Sequence, residues 1–361
     1  MKQKKSVFAI LAILLLAGFV VGFWFVKRPI DLKANEFHAA IRSFYQSWFV
    51  KRPNDSNNVP TLSLRLKWLY DPGFAGELVG AHEGLFEKNG LRLSIQPGGF
   101  ESDPIKLVVN GSDTFGVAGA DSFLLARAKG VPIVAFAAGY INTPVVYYSQ
   151  VAANVKTPAD WKGKRIGVQE GQDTATIYRV LLRKAGLTEN DVVEIPVKYD
   201  LSPFLDGRVD IWPGYAATQS YILHQKGIPY TTVVPREQGV NYVGTVYFTT
   251  EGIIREHPEW VQGFLDALIE GWELTYKNEQ SAIAAINSFD TKTLTPELIK
   301  WNLAKQLSSI KPDERRFCKF KISDFEEMQQ ILMGQRLIEK SVDLQLSITT
   351  KFLDTHYNGK L

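Results

Sequence analysis

The chain has 361 residues, of which 45% are hydrophobic and 22% are charged, as in a folded globular protein of about two domains. Its formal net charge is +3 and the chain after residue 60 has no basic block, so a nucleic acid is not expected as a partner. The single cysteine, Cys318, excludes an intramolecular disulfide and a cysteine-based metal cluster.

The N-terminus carries an apolar segment. Lysines at positions 2, 4 and 5 precede an uncharged run over residues 6–26, and about 20 helical residues span a hydrocarbon core of roughly 30 Å. Residues 1–28 are therefore predicted to be a signal-anchor helix that tethers the body outside the cytoplasm. A cleaved signal peptide stays open, as does an inverted orientation, because Lys27 and Arg28 weaken the charge asymmetry.

Residues 29–60 are predicted to be a juxtamembrane segment. Phe37, Ile41, Phe44 and Trp48 fall on one helical face. Such an amphipathic helix lies on the membrane surface or packs against the folded body, and the pattern leaves both open. The polar stretch at the end of this segment predicts a linker.

The folded body opens with a predicted β-α-β unit over residues 64–99. Alternation at 64–68 indicates a strand, residues 74–87 a helix and residues 91–95 a second strand. Open α/β sheets bind ligands at the carboxyl ends of their strands. The residues at the carboxyl end of the first strand, which are therefore expected to contact a ligand, are Trp68, Tyr70, Asp71 and Phe74.

Strand and helix patterns continue to alternate, which argues for parallel sheets in an α/β protein. Further strands are predicted at 114–118, 132–138, 164–169, 192–197, 209–212, 231–234 and 242–249. Helices are predicted at 104–110, 121–129, 173–185, 202–205 and 216–226. The segment 145–149 is interpreted as a crossover between two units, and the chain after residue 258 is predicted to be mainly helical.

Several short motifs then resemble one protein family. They are HEGLF at 82–86, GSDTFGV at 111–117, WKGKRIGV at 161–168, GRVD at 207–210 and FTTE at 248–251. Because these motifs follow one another in the same order as in that family, the chain over residues 64–310 resembles type II periplasmic solute-binding proteins. Binders of thiamine-pyrimidine precursors form the most similar branch, and alkanesulfonate and nitrate binders are related branches.

The resemblance implies two α/β lobes that are joined by two crossovers and close on a ligand between them. Residues 61–149 and 241–361 would form the first lobe with C-terminal helices, and residues 150–240 the second. It also implies a monomeric extracytoplasmic receptor that needs no cofactor or metal and delivers a small molecule to an ABC permease in the membrane.

The expected ligand residues lie at strand ends and crossovers around the cleft. Besides the residues after the first strand, they are Phe100, Asp121, Tyr147, Gln169, Glu170, Trp212, Tyr215, Tyr242 and Tyr247. Aromatic faces stack on flat rings and carboxylates accept N–H groups, whereas the arginines that suit sulfonate or nitrate are scarce here. We therefore expect a neutral or cationic nitrogen heterocycle, like a thiamine-pyrimidine precursor.

Several of these residues have a structural alternative. Asp121 and Asp173 stand where helix N-caps belong, and Trp68 alternates towards the core. Tyr242 and Tyr247 supply the bulk that hinge strands need. The predicted helix start at Asp173 could also hold an anion by backbone N–H groups, so an alkanesulfonate or nitrate stays open, as does a receptor that signals without transport.

An enzyme is not expected, because the chain lacks a nucleophile elbow, a phosphate-binding glycine loop and a His-x-x-x-His pair. A eukaryotic branch of the resembled family makes the thiamine pyrimidine itself and is typified by a cysteine-rich motif and a histidine in the first loop. Phe74 stands at that histidine position and one cysteine cannot supply the motif, so a synthase is the less favoured alternative.

Overall fold

The computed structural model describes residues 59–99, 101–312 and 316–359. The predicted signal-anchor, residues 1–28, and nearly all of the predicted juxtamembrane segment, residues 29–60, lie outside this part of the chain. Among the residues that the structure describes, no helix has the length and apolar character needed to cross a membrane. The description below concerns the unit that begins at Val59.

The described residues contain two five-stranded sheets. Their strands, in chain order, are β1 (Thr61–Arg65), β2 (Arg92–Gln96), β3 (Phe115–Gly119), β4 (Ile133–Ala138), β5 (Val145–Gln150), β6 (Arg165–Val168), β7 (Val193–Pro196), β8 (Ile211–Tyr215), β9 (Tyr230–Val233) and β10 (Thr245–Thr250).

The helices cover the sheets and form most of the C-terminal part. They are α1 (Ala75–His82), α2 (Leu85–Lys88), α3 (Pro104–Val109), α4 (Ala120–Ala128), α5 (Asp173–Lys184), α6 (Ser202–Leu205), α7 (Thr218–Gln225), α8 (Glu251–Glu256), α9 (Pro258–Lys277), α10 (Glu279–Asn287), α11 (Pro296–Ile310), α12 (Ser323–Gly334), α13 (Leu344–Ser347) and α14 (Lys351–Asn358). The helix predicted over 74–87 is divided into α1 and α2 because Gly84 adopts a left-handed conformation with φ of 67°.

Each sheet contains one strand that directly follows a crossover, β10 in the first sheet and β5 in the second. The first has the order β2-β1-β3-β10-β4 and the second β7-β6-β8-β5-β9. Strands β1, β2 and β3 are parallel, whereas β10 runs antiparallel to β3 and β4. In the second sheet β5 likewise runs antiparallel to β8 and β9. Both sheets are therefore mixed, whereas the sequence analysis predicted parallel sheets. The difference arises because the strand that follows a crossover runs antiparallel to its neighbours.

Two crossovers, residues 139–144 and 234–244, join the lobes side by side. The Thr143 N–H donates to the Tyr242 carbonyl at 2.7 Å, and the Gly244 N–H donates to the Tyr140 carbonyl at 2.8 Å. The segment 145–149, interpreted from the sequence as a crossover, is strand β5 inside the second sheet. That sheet thus starts at Val145, before the predicted lobe boundary at residue 150.

The larger hydrophobic core cluster extends through the first lobe and its C-terminal helices and continues into the second lobe, where it includes Trp161 and Tyr178. The Phe264 ring of α9 lies 4.5 Å from that of Phe115 and 5.8 Å from that of Phe136, so α9 is anchored to β3 and β4. A separate core cluster in the second lobe contains Tyr148 and Trp212. The two lobes therefore share a continuous core, and the second lobe has a smaller cluster of its own besides.

Candidate functional site

Charged and phenolic side chains from both lobes meet between the two sheets. Lys67 follows β1, and Asp121 lies in the first turn of α4 directly after β3. From the second lobe Asp173 begins α5 after β6, and Tyr215 ends β8. These are carboxyl ends of strands, where α/β sheets position ligand-binding groups. We call these four residues, together with Tyr242 of the second crossover, the cleft cluster.

Lys67 and Asp173 connect the lobes directly. Their Nζ and Oδ2 atoms are 3.5 Å apart, and 31% of the Lys67 side chain and 5% of the Asp173 side chain are exposed. Burial disfavours the ammonium, but the attraction of Asp173, Tyr215 and Asp121 outweighs it and raises the pKa of Lys67. Lys67 therefore stays a cation inside the cleft.

Asp121 is a buried carboxyl with a raised pKa. Burial is the main cause and the nearby Asp173 carboxylate adds to it, while Lys67 opposes both. Its Oδ1 accepts the Ser122 N–H at 2.7 Å. The Tyr242 hydroxyl is buried beside Asp121 but makes no hydrogen bond of good geometry to a described residue. Asp121 thus takes up a proton more readily than an exposed aspartate.

Carboxylates occupy both helix N-termini that contribute to the cleft cluster. In α5 the Thr174 N–H donates to Asp173 Oδ1 at 2.9 Å, and in α4 Asp121 binds the first-turn N–H of Ser122. The Tyr215 hydroxyl also donates to Asp173 Oδ1, at 3.1 Å. A helix N-terminus attracts anions through such N–H groups. In α4 and α5 these groups already bind the carboxylates of Asp121 and Asp173.

Two aromatic rings face each other across the cleft next to this cluster. The centroids of Trp68 in the first lobe and Tyr199 in the second are 5.5 Å apart, with an angle of 39° between the planes. At this distance the two rings contact each other directly, and each is a flat apolar surface of the kind that stacks on planar rings. The cleft therefore combines aromatic faces with one ammonium and two carboxyl groups.

Part of the predicted ligand set lies here. Trp68, Asp121, Tyr215 and Tyr242 line the cleft as described, and the Tyr147 hydroxyl lies close behind them and donates to the carbonyl of Thr174. These positions agree with a shared site at the strand ends.

Other predicted ligand residues of the first lobe have structural partners. The Tyr70 hydroxyl donates to the Ile95 carbonyl at 3.1 Å, and Asp71 caps the following turn by accepting the Gly73 N–H at 2.7 Å. Phe74 is buried in the first-lobe core. Their groups are used within the lobe, so we leave them out of the ligand set proposed below.

Gln169 and Glu170 in the second lobe are also engaged elsewhere. The Gln169 amide donates to the Lys198 carbonyl at 2.9 Å and accepts from the Thr174 hydroxyl at 3.1 Å. Glu170 is exposed and forms an ion pair with Arg179 on the outside of the lobe. Neither side chain presents a group to the cleft cluster.

Trp212 and Tyr247 are enclosed by protein. Trp212 is 0% exposed and packs in the second-lobe core with Phe204. Tyr247 is 1% exposed and donates from its hydroxyl to Glu77 Oε1 at 2.8 Å. Inward alternation along a central strand accounts for the burial of both side chains. They are likewise left out of the proposed set.

The sequence analysis missed Lys67 and Tyr199. Alternation along the first strand put Lys67 on the outer face with Arg65, but β1 ends at Arg65 and the two-residue period no longer applies beyond it. Tyr199 lies in a loop that carries no pattern. Phe100, predicted as a ligand contact, lies outside the described residues.

A resident metal ion has no candidate ligands in this part of the chain. Within residues 59–99, 101–312 and 316–359, no group of His, Cys, Asp and Glu side chains is arranged to hold one.

Comparison with known proteins identifies the family. A family model described as NMT1/THI5 like matches residues 71–282. A putative thiamine biosynthesis protein of Haemophilus influenzae is 24% identical over 298 residues, which are 79% of this chain and 90% of the relative. The formylaminopyrimidine-binding protein of Halalkalibacterium halodurans is 24% identical over 244 residues, 66% of this chain and 74% of the relative.

Solved structures show the same architecture. The periplasmic aliphatic sulphonate binding protein SsuA from Escherichia coli superimposes with a TM-score of 0.65 at 21% sequence identity, over 80% of this chain and 92% of that protein. This likeness confirms the predicted two-lobed periplasmic-binding-protein fold. The matched residues 71–282 make up more than half of the 361 residues, and the chain belongs to the NMT1/THI5-like family.

Proposed function

We propose that the chain is an extracytoplasmic solute-binding protein that captures a small nitrogen heterocycle by lobe closure and delivers it to an ABC permease. The cleft cluster carries this proposal, because it brings ligand-binding chemistry from both lobes to one place. A ligand held by Asp121 of the first lobe and Asp173 of the second would draw the lobes together, which is the hinge closure that buries a ligand.

The chemistry of the cleft favours a ring with N–H donors. The carboxyl oxygens of Asp121 and Asp173 accept N–H groups, and the ring faces of Trp68 and Tyr199 suit a flat heterocycle. An alkanesulfonate or nitrate would have to displace Asp173 from both Lys67 and the N-terminus of α5. A thiamine-pyrimidine precursor, with its amino group and ring nitrogens, meets these requirements.

The relatives support the same class of ligand. One carries the name of a formylaminopyrimidine-binding protein and another that of a thiamine biosynthesis protein. An aliphatic sulfonate is the second candidate ligand, and the observation that favours it is Lys67, a cation exposed to the cleft. In this proposal the predicted helix at residues 1–28 tethers the receptor to the membrane, which N-terminal sequencing of the mature protein would test.

A binding panel separates the candidates. Melting temperature and calorimetric affinity are measured with the hydroxymethylpyrimidine precursor of thiamine, ethanesulfonate and nitrate. A ligand at about 100 times its dissociation constant stabilises the fold by roughly 2.7 kcal/mol. We expect this shift with the pyrimidine, and a shift with ethanesulfonate or nitrate alone would overturn the proposal. Mass spectrometry of the released pyrimidine should show an unchanged molecule, whereas an altered mass would indicate an enzyme.

The contribution of the carboxylates is tested with Asp173→Asn. Loss of a charge-assisted hydrogen bond of about 1.5–3 kcal/mol should weaken pyrimidine binding by at least tenfold. The matched control is Asp343→Asn, because Asp343 also accepts first-turn N–H groups of a helix, α13, but makes these bonds to Gln345 and Leu346 on the exposed surface. Equal losses in both variants would show that the effect is not specific to the cleft.

A further inference from the structure

Lys67 already occupies the position where a ligand ammonium would bind. Its Nζ atom lies 3.5 Å from Asp173 Oδ2, and Asp121 approaches it from the first lobe. Gly119 lies between the two first-lobe groups, since a Cβ added there would be 3.6 Å from Lys67 Nζ and 2.5 Å from Asp121 Oδ1. The absence of a side chain at Gly119 is therefore what allows Lys67 and Asp121 to share this corner of the cleft.

This ammonium is also accessible from the cleft. The Lys67 side chain is 31% exposed, whereas the Asp173 side chain is 5% exposed. Lys67 is thus held between two carboxyl groups but keeps donor capacity for a further acceptor, because an ammonium has three N–H bonds. A ligand that enters beside Trp68 and Tyr199 meets this group at one end of the aromatic faces.

The charge of Lys67 discriminates between ligands. A neutral heterocycle can accept from Lys67 with a ring nitrogen or hydroxyl and donate to a carboxyl with its amino group. A ligand ammonium would have to share Asp121 and Asp173 with Lys67, and two like charges at such short range in a partly buried site repel each other strongly.

We propose that Lys67 is a specificity-determining residue that makes the cleft select neutral heterocycles and reject cationic ones. This inference rests on the proposed function and adds the ligand's charge to it. Lys67 acts as an internal cation that satisfies Asp173 in place of the ligand. Replacing it by a neutral side chain turns the same cleft into a site for cations.

A matched pair of ligands tests this role. The hydroxymethylpyrimidine and the aminomethylpyrimidine precursors have nearly the same shape, but the aminomethyl group carries a positive charge at neutral pH. In calorimetric titrations the wild-type protein should bind the hydroxymethyl compound at least tenfold more tightly. In Lys67→Gln the ratio of the two dissociation constants should move by at least tenfold towards the aminomethyl compound, and in Lys67→Arg it should stay near the wild-type value.

Lys88→Gln serves as the control, because Lys88 forms an exposed ion pair with Glu270 within the first lobe. This substitution should leave the ratio of the two dissociation constants unchanged. An unchanged ratio in Lys67→Gln, or equal binding of both compounds by the wild type, would overturn the inference while the proposed function stands. The wild-type measurement decides the matter even if Lys67→Gln does not fold. If the wild type binds neither compound, the proposed function is wrong and the inference falls with it.

Discussion

Glu77 of α1 is a carboxylic acid with no exposed surface. Its Oε1 accepts the Tyr247 hydroxyl at 2.8 Å, while its Oε2 has no hydrogen-bond partner among the described residues. Burial raises the pKa of Glu77 to about 7, and the Tyr247 hydrogen bond only partly opposes this. The folded protein therefore favours protonated Glu77, whereas the unfolded chain ionises it at a lower pH.

This shift makes stability depend on pH in a defined direction. The folded pKa lies above the unfolded value, so the stabilising contribution of the protonated acid is present below about pH 4.5 and is lost as the pH rises to about 7. The loss is about 3 kcal/mol, since each pKa unit corresponds to about 1.4 kcal/mol. We predict that Glu77→Gln removes this loss, because the amide oxygen still accepts from Tyr247 and stays neutral.

Urea unfolding at pH 4 and pH 8 measures the effect. The difference in unfolding free energy between the two pH values should be about 3 kcal/mol smaller in Glu77→Gln than in the wild type. Glu87→Gln, on the exposed surface of α2, should leave the difference unchanged. If Glu77→Gln and the wild type respond to pH alike, Glu77 is not the source of the dependence.

The sequence could place a residue near the cleft only where that residue begins a helix or ends a strand. Asp121 was predicted as a ligand residue and Asp173 as a helix start that caps α5 or holds an anion, because each begins a helix after a strand. Trp212 was read as a ligand contact because its strand end is obvious, but the face it presents depends on packing against the second-lobe core. Lys67 could not be identified, because its partner Asp173 is distant in the sequence.

Helices α1 and α9 of the first lobe pack closely against each other because both have glycine at the contact. A Cβ on Gly271 would lie 2.1 Å from the Gly76 carbonyl oxygen, and one on Gly76 would lie 2.3 Å from the Trp272 ring. The first of these contacts is with backbone, so it cannot be relieved without moving one of the two helices. The two helices therefore approach each other along glycine surfaces, and this approach sets the position of α1 at the start of the first lobe.

We predict that Gly271→Ala destabilises the protein by about 2 kcal/mol, because overpacking costs about 1–3 kcal/mol and exceeds the gain in helix propensity. The matched control is Gly334→Ala in α12, where an added Cβ meets no atom within 4 Å. That variant should be neutral or more stable by up to about 1 kcal/mol. Unfolding free energies from urea titrations compare the two, and equal values would show that the α1–α9 contact is not tight.

Helices and strands were predictable to the extent that local pattern defines them. Helix α6, predicted over 202–205, has those bounds in the structure. The predicted bounds of α4, α5 and α7, each followed by a glycine, lie within two residues of the observed ones. Strand β5 was misread because a short apolar run does not reveal which sheet it joins. Its place between β8 and β9 depends on pairing with segments more than sixty residues away, for example Tyr148 with Trp212.

On the scale of the whole molecule, contacts outside the cleft cluster also hold the lobes together. Trp301 of α11 donates from Nε1 to the hydroxyl of Ser220 in α7 at 2.9 Å, and its ring stacks on His224 with centroids 4.6 Å apart. The Gln335 amide donates to the carbonyl of Thr176 at 2.8 Å. These contacts join C-terminal helices to the second lobe, so they stabilise the arrangement of the lobes in this structure without touching the cleft cluster.

We predict that Trp301→Phe accelerates release of a bound ligand. Phenylalanine keeps a ring against His224 but removes the hydrogen bond to Ser220, whose net contribution is about 1 kcal/mol. We expect this bond to break when the lobes open, so its loss should raise the dissociation rate about fivefold and leave association nearly unchanged. Stopped-flow fluorescence with the hydroxymethylpyrimidine precursor measures both rates.

The matched control is Trp260→Phe. Trp260 is half-buried like Trp301 and also stacks on a histidine, His257, but both residues belong to the first lobe. Its replacement should therefore leave ligand release unchanged. If the two variants release ligand equally fast, the effect reflects the loss of a tryptophan in general, and the α11–α7 contact has no part in closure. If only Trp301→Phe is faster, the C-terminal helices take part in ligand retention at a distance from the cleft.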